Sequence, residues 1–415
     1  MTISLRARRW LLVSAALLLL AVVALHWISR PQRVASLVLS QIGSALGLQI
    51  TSDGTAEYRL RGGPQLVLRE VDARVPGAKT AVLHAKRVSV AVPWSTVRSR
   101  GATLAFTRVE LDAPVIDVVA MQQWLASLPP SETKMPTLSD GLQVRDGRVV
   151  GAGWSVDIDA LDVPRWMPER ALEATTKGRF VQGTTRVPFA LRVDATRPAS
   201  GAQVTVRGDV SLEQPQRKLV ARLNARGPLQ LGDGLRIVPL RLSLVSRYTQ
   251  DKTDLPFVFA MNGPLRVRNG TVALSPAGVA LRGDDVVPDF DARAAFAWTN
   301  AASLHLDGTL ATWPDAWPVL PPPIGQSTSP LPFVLDYAGP FDFSDIARLQ
   351  LKRDATAVDA RFRLPEVLAW IDADATSPLP PLSGTAHTPT LEIGGATLEG
   401  VDVRIDDPAL DTAAP

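Results

Sequence analysis

Short apolar runs with a two-residue period, interrupted every few residues by glycine or proline, constrain this chain more than any other feature of it. The stretch from Val82 to Val118 (VLHAKRVSVAVPWSTVRSRGATLAFTRVELDAPVIDV) shows the pattern most fully. Val88, Val90 and Val92 alternate with Ser89 and Ala91, and Leu104 and Phe106 alternate with Ala105 and Thr107, which is the spacing of strands with one apolar face. Pro93, Gly101 and Pro114 would break a helix here. The apolar set restarts out of phase at Val109 and Leu111, then shifts again across Asp112-Ala113-Pro114 to Ile116 and Val118. A one-residue slip turns every side chain to the other face, so each phase change predicts a bulge or corner that re-aims the strand. The sheet must therefore curve.

Composition agrees with an all-β chain of one or more core-bearing modules. Of the 415 residues 46% are apolar, enough for a sizeable core, and 34 prolines with 29 glycines supply many turns. The formal net charge is only +3, from 44 basic and 41 acidic residues, so a nucleic-acid footprint finds no support. Cysteine is absent, which excludes disulfides and thiolate zinc sites.

The N-terminus carries Arg6, Arg8 and Arg9, followed by the uncharged run from Trp10 to Ser29 and then Arg30. That run matches the hydrocarbon thickness of a bilayer, the arginines favour a cytoplasmic N-terminus, and Trp10 and Trp27 sit where interfacial aromatics belong. The competing reading is a cleaved signal peptide with Val22-Val23-Ala24 at its end. Continuation of the apolar run through Leu25 to Ile28 and into the next segment favours a retained anchor. Residues 30–47 then read as an amphipathic helix opened by Pro31, with Val34, Leu37, Val38, Ile42, Ala45 and Leu46 on one stripe. It would lie on the bilayer, plug a groove or cap the first strands.

From Leu48 onward almost continuous strands are expected, with a short helix over Met121–Leu128. Gly227-Pro228-Leu229, Gly263-Pro264-Leu265 and Gly339-Pro340-Phe341 read as turns. Three copies of one strand recur as Val187-Pro-Phe-Ala-Leu, Leu255-Pro-Phe-Val-Phe and Leu331-Pro-Phe-Val-Leu, 68 and 76 residues apart (187 to 255, 255 to 331). A tryptophan followed by a proline-rich loop recurs at Trp124, at Trp313 and Trp317, and at Trp370. Such echoes predict a quasi-linear stack, of roughly 25–30 strands at about 4.8 Å spacing.

Two of these stretches carry a resemblance. Lys86 to Val92 (Lys-Arg-Val-x-Val-x-Val) with Leu104 to Val118 (Leu-x-Phe-x-x-Val-x-Leu-x-x-Pro-x-Ile-x-Val) resembles the N-terminal hallmark of the bacterial AsmA-like proteins. Trp370-Ile371 through Leu379-Pro-Pro-Leu-Ser-Gly384 to Leu391-Glu-Ile, Leu398 and Val401-Asp-Val resembles their C-terminal region. The resemblance, which extends to bridge-like lipid transfer proteins, implies a single-pass inner-membrane protein whose bulk is periplasmic. It implies a transmembrane helix followed by an elongated, curved antiparallel β-sheet with a few short helices, a β-groove serving outer-membrane biogenesis and phospholipid transport. On this basis the chain divides into a cytoplasmic N-terminus (1–9), anchor (10–29), amphipathic helix (30–47), N-terminal β-module (48–163), repeated groove region (164–406) and tail (407–415).

No motif for catalysis, cofactor or metal emerges. His26, His84, His305 and His387 share no spacing, and GxSxG, HExxH and phosphate-loop patterns are lacking. Asp284, Asp285, Asp289 and Asp291 form the densest acidic cluster, without EF-hand spacing, and read as a solvated loop with calcium as the lesser alternative. An enzyme is not expected. Apolar strand faces are ordinarily the core of a two-sheet sandwich; the resemblance makes them instead the lining of a lipid groove. The expected lining is Val88, Val90, Val92, Leu104, Phe106, Phe189, Leu191, Phe257, Phe259, Phe333 and Leu335. Its partners are the inner membrane and phospholipid, with envelope assembly proteins if the chain is a scaffold or secretion-system subunit instead, and no nucleic acid. A reporter fused after Pro415 should be active only in the periplasm; cytoplasmic activity would refute the anchored topology.

Overall fold

The structure is a computed structural model that describes residues 39, 43, 46–59, 64–93, 106–127, 137–214, 217–232, 234–250, 253–268, 270–284, 286–314, 317, 324–340, 343–372, 380–393 and 395–410. The anchor over 10–29, its flanks Arg6, Arg8, Arg9, Trp10, Trp27 and Arg30, and Leu104 lie outside the described residues. Among the described residues no helix is long and apolar enough to cross a membrane. The chain forms two compact units. One runs to Gly151 and takes in Asp157–Trp166; the other comprises Ala152–Val156 and the chain from Met167.

In the first unit β1 (Gln49–Ser52) and β2 (Glu57–Arg59) both pair antiparallel with β3 (Gln65–Arg74), which continues to β4 (Ala81–Ala91) and β5 (Arg108–Asp117). The expected all-antiparallel sheet is corrected at the next step, because β6 (Leu142–Val150) pairs with β5 in parallel. A parallel pair needs a crossover of a dozen or more residues. Here it contains helix α1 (Val118–Ser127), whose first turn is capped by Asp117 Oδ1 accepting the Ala120 N–H at 2.8 Å. Trp124 on α1 donates its Nε1–H to Leu46 O at 2.7 Å. Leu39, from the segment expected as an amphipathic helix, is buried on Leu66, Leu68 and Val71. Next comes β7 (Ser155–Val163), divided between the units after Val156.

The predicted phase change at Asp112-Ala113-Pro114 is a corner shared by four strands. Apolar positions switch parity from Leu66 and Leu68 to Val71 and Ala73 on β3, from Val109 and Leu111 to Pro114 and Ile116 on β5, and from Leu142 and Val144 to Gly147 and Val149 on β6. On β4 the change falls between Ala85 and Val88. Of the bulge or corner expected, it is a corner without a bulge, since the ladders keep one register across this row. Glu70, Ala113 and Asp146 instead adopt left-handed backbone, with φ of 48°, 47° and 52°. On β3, β5 and β6 one such residue rotates the following side chains to the other face without an extra residue, while β4 has none.

The second unit is a meander in chain order: β8 (Leu172–Gln182), β9 (Thr185–Ala195), β10 (Gln203–Gln214), β11 (Arg217–Gly232), β12 (Gly234–Gln250), β13 (Thr253–Arg268), β14 (Thr271–Gly283), β15 (Phe290–Trp298), β16 (Ala302–Leu310), β17 (Leu331–Gly339), β18 (Ile346–Arg353), β19 (Thr356–Arg363), β20 (Ser383–Ile393) and β21 (Ala396–Ile405). Each strand pairs antiparallel with the next. This is one curled sheet, not a two-sheet sandwich. Helix α2 (Leu364–Asp372) interrupts it between β19 and β20.

Two of the three Gly-Pro dipeptides read as turns lie inside strands, and the described residues hold 21 strands rather than the expected 25–30. Gly227-Pro228 is within β11 and Gly263-Pro264 within β13, while Gly339-Pro340 does end β17. Together with Val238-Pro239 on β12 and Ser275-Pro276 on β14, they lie where the register slips by one residue on each of the ladders from β11 to β15. Proline donates no ladder hydrogen bond, so four aligned prolines concentrate the irregularity in one transverse crease. Glycine is required there because backbones come close: a Cβ on Gly263 would stand 2.7 Å from Ala277 Cβ and 2.9 Å from Pro276 O. Gly263→Ala should therefore cost about 1–3 kcal/mol in chemical denaturation. Gly278→Ala, whose Cβ would meet only Asn262 O at 3.9 Å, should be tolerated; equal effects would refute this account of the crease.

Candidate functional site

Directly paired residues of a ladder point to the same face, so the registers define what that face offers. One row crosses the second unit through Ala174, Val193, Val206, Ala225, Leu242, Met261, Val279, Ala292, Gly308, Phe333, Leu351, Val358, Ala386 and Val403. No polar side chain interrupts it from β8 to β21. A second row, Leu191, Gly208, Leu223, Leu244, Phe259, Leu281, Phe290, Leu310 and Leu331, runs beside it on the same face.

The sheet curls around a cavity of about 820 Å³ that touches Leu212 on β10 and Ile405 on β21. Leu255, Phe257, Leu281 and Tyr248 line it from one side, and Leu335, Leu349, Val358 and Phe362 from the other. Helix α2 contributes Leu364, Val367 and Leu368, an i, i+3, i+4 stripe with Pro365 in the first turn, and also Trp370. Val286, Val287 and Pro288 close another part of the wall. Their segment is held by Trp317, whose Nε1–H donates to Val286 O at 2.9 Å while its ring meets Trp313 edge-on at 4.8 Å.

Part of the apolar face is packed core. Ala277, Val279, Ala292, Ala294, Leu306, Leu310, Leu331 and Phe333 form a buried cluster, and Phe290 meets Phe333 edge-on at 5.2 Å. Polar groups gather at the hairpin ends. Arg217, Lys218 and Arg353 border the cavity, and Arg353 donates to Ser329 O at 3.2 Å. The neighbouring Asp354 accepts hydrogen bonds from Ser327 and Ser329, both at 2.6 Å, which hold its carboxyl below the ordinary value. Within the face, Ser246 is 5% exposed and its Oγ has no hydrogen-bond partner among the described residues.

Of the residues expected to line a groove, Phe257, Phe333 and Leu335 line this cavity. Phe259 is on the same face, packed against the buried cluster. Phe189 and Leu191 share the face through the rows that reach Phe257 and Phe259, beyond the cavity wall. Val88 and Val90 belong to the first unit, where they pair with Leu68 and Leu111 and with Leu66 and Val109. Val92 follows the end of β4, its N–H donating to Pro64 O at 2.9 Å, and Phe106 makes an isolated bridge to Leu138. The contribution of α2 was missed, although its stripe and its proline were legible.

His26 and Asp285 lie outside the described residues, and among those described no group of histidines and acids could hold a metal ion. His84, His305 and His387 each hydrogen-bond the aspartate directly opposite on the neighbouring strand, Asp72 at 3.0 Å, Asp336 at 2.6 Å and Asp402 at 2.7 Å. Asp289 accepts the Gly283 N–H at 2.9 Å, and Asp291 takes both Nη2 contacts of Arg282, at 2.9 and 2.8 Å. Comparison with family models, curated proteins and solved structures finds no match for this chain.

Two phenylalanines on one face should respond differently to a charge. Phe333 is 5% exposed within the cluster, so Phe333→Asp should lower stability by roughly 3–5 kcal/mol or more. Phe257 lines the cavity and is only partly buried, so Phe257→Asp should leave a folded protein with a smaller loss. Thermal and chemical melts of the two variants check this, and equal losses would show the cavity wall to be closed core.

Proposed function

We infer that this chain is a phospholipid carrier of the AsmA-like kind, held in a bacterial inner membrane by residues 10–29 with its strands in the periplasm, and serving the outer membrane. It acts by shielding acyl chains along an apolar sheet face while headgroups remain in water. What supports this reading is the unbroken apolar row from Ala174 to Val403 together with the cavity of about 820 Å³ against it. That volume lies within the range of about 300–1,000 Å³ of small-molecule sites. Each methylene taken out of water contributes about 0.8 kcal/mol, so an acyl chain is retained by burial alone. No bond-making step and no cofactor enters the mechanism.

A second reading, a scaffold or assembly factor whose apolar face is its own core, draws on the buried cluster around Phe333. The full chain purified from its membrane separates the two. Solvent extraction should yield copurifying phospholipid, and a photoreactive residue in place of Phe257 should capture it, whereas one in place of the outward Val258 should not. A lipid-free protein, or equal capture at both positions, would leave the scaffold reading standing.

A further inference from the structure

The outward face of β10–β15 carries its charges in two zones. Toward one set of strand ends the charges are matched: Arg222 with Asp209, Lys218 with Glu213, Arg247 with Asp254 and Arg282 with Asp291. Around the crease they are not. Arg207, Arg226, Arg236, Arg241, Arg266 and Arg293 are all exposed and make no ion pair among the described residues. Arg266 donates to Ser275 O at 3.1 Å, and Asp307, opposite Arg293 in the ladder, forms no bridge.

The placement of these arginines is unfavourable for the isolated fold. Arg226 stands directly opposite Arg241, and Arg236 directly opposite Arg266. Like charges in directly paired positions destabilise a sheet. Arg226, Arg241 and Arg293 also share one row, with only Asn262 and Gly278 between the last two. Small side chains between the guanidinium groups leave them free to meet one broad anionic object, over about 24 Å from β10 to β15.

We propose that this arginine face docks on an anionic phospholipid surface. The aromatic residues of β10–β15, namely Tyr248, Phe257, Phe259, Phe290, Phe296 and Trp298, have the parity of the opposite, apolar face. The arginine face of β10–β15 therefore offers no aromatic platform of the kind on which single-strand binders stack successive bases. A plane of phosphates needs only dispersed cations, each worth about fivefold in affinity near an anionic membrane. The inference stands on the outward face and is independent of the cavity.

The absence of cysteine permits a site-specific test. The full chain carrying Asn224→Cys, labelled with a polarity-sensitive fluorophore, is titrated with vesicles of phosphatidylcholine alone and of phosphatidylcholine with phosphatidylglycerol. The label should respond to the anionic vesicles only, and added salt should weaken the response. Replacing Arg226, Arg236, Arg241 and Arg266 together by Gln should weaken binding on the order of a hundredfold or more, with an unchanged or raised melting temperature because two like-charge pairs are removed. Equal response to both vesicles, an unaffected quadruple variant or a variant that melts lower would overturn the proposal. So would a response to duplex RNA at lower concentration than to the anionic vesicles.

Discussion

Cross-strand registry is the constraint on which the second unit depends. A meander satisfies its backbone hydrogen bonds sideways, each strand to the next, so no distant strand fixes where a side chain points. Apolar residues share one face only if the ladders keep step, and they do so from Ala174 on β8 to Val403 on β21. A face that long is apolar in every row element, and curling is how a single sheet brings it together. Helix α2, Val286–Pro288 and the Trp313–Trp317 pair cover what the curl leaves open. The result is a sheet that is partly its own core and partly the wall of a cavity.

Curvature is concentrated by two different devices. In the first unit, left-handed residues at Glu70, Ala113 and Asp146 exchange the faces of neighbouring strands in one row while the registers are kept. In the second, prolines aligned on β11 to β14 force each ladder to slip by one residue, and Gly227 and Gly263 admit the close backbone approach. Both solutions act across the whole width of several strands at once. A corner confined to one strand would leave its neighbours with apolar side chains on the wrong face.

The polar face has its own order. The described histidines are bound by the aspartate opposite them, and many acids by a residue opposite or nearby: Arg348 and the opposite Gln350 bind the Asp359 carboxylate and hold its proton affinity below the ordinary level. Against this background of local pairing, unmatched arginines around the crease stand apart. Segregation of charge on one face and of apolar area on the other gives a single sheet two distinct surfaces, separated by nothing more than side-chain parity.

Strand identity, the apolar faces and the phase change at Asp112-Ala113-Pro114 were legible in the sequence, because a period of two and its interruption are local properties. The repeated Val/Leu-Pro-Phe strands were legible too, and they recur as β9, β13 and β17. Helix α2 could have been read from Leu364, Val367 and Leu368. The Gly-Pro dipeptides could not be assigned, since the same two residues end β17 at Gly339 and lie inside β11 and β13. Likewise, Phe257 and Phe333 are equivalent in their strands and both line the cavity, yet only Phe333 belongs to the buried cluster. The sequence by itself determined which side chains share a face, because alternation is set by covalent geometry. Only the tertiary structure decided where the sheet bends and how much of that face is filled, because both depend on contacts between strands far apart in the chain.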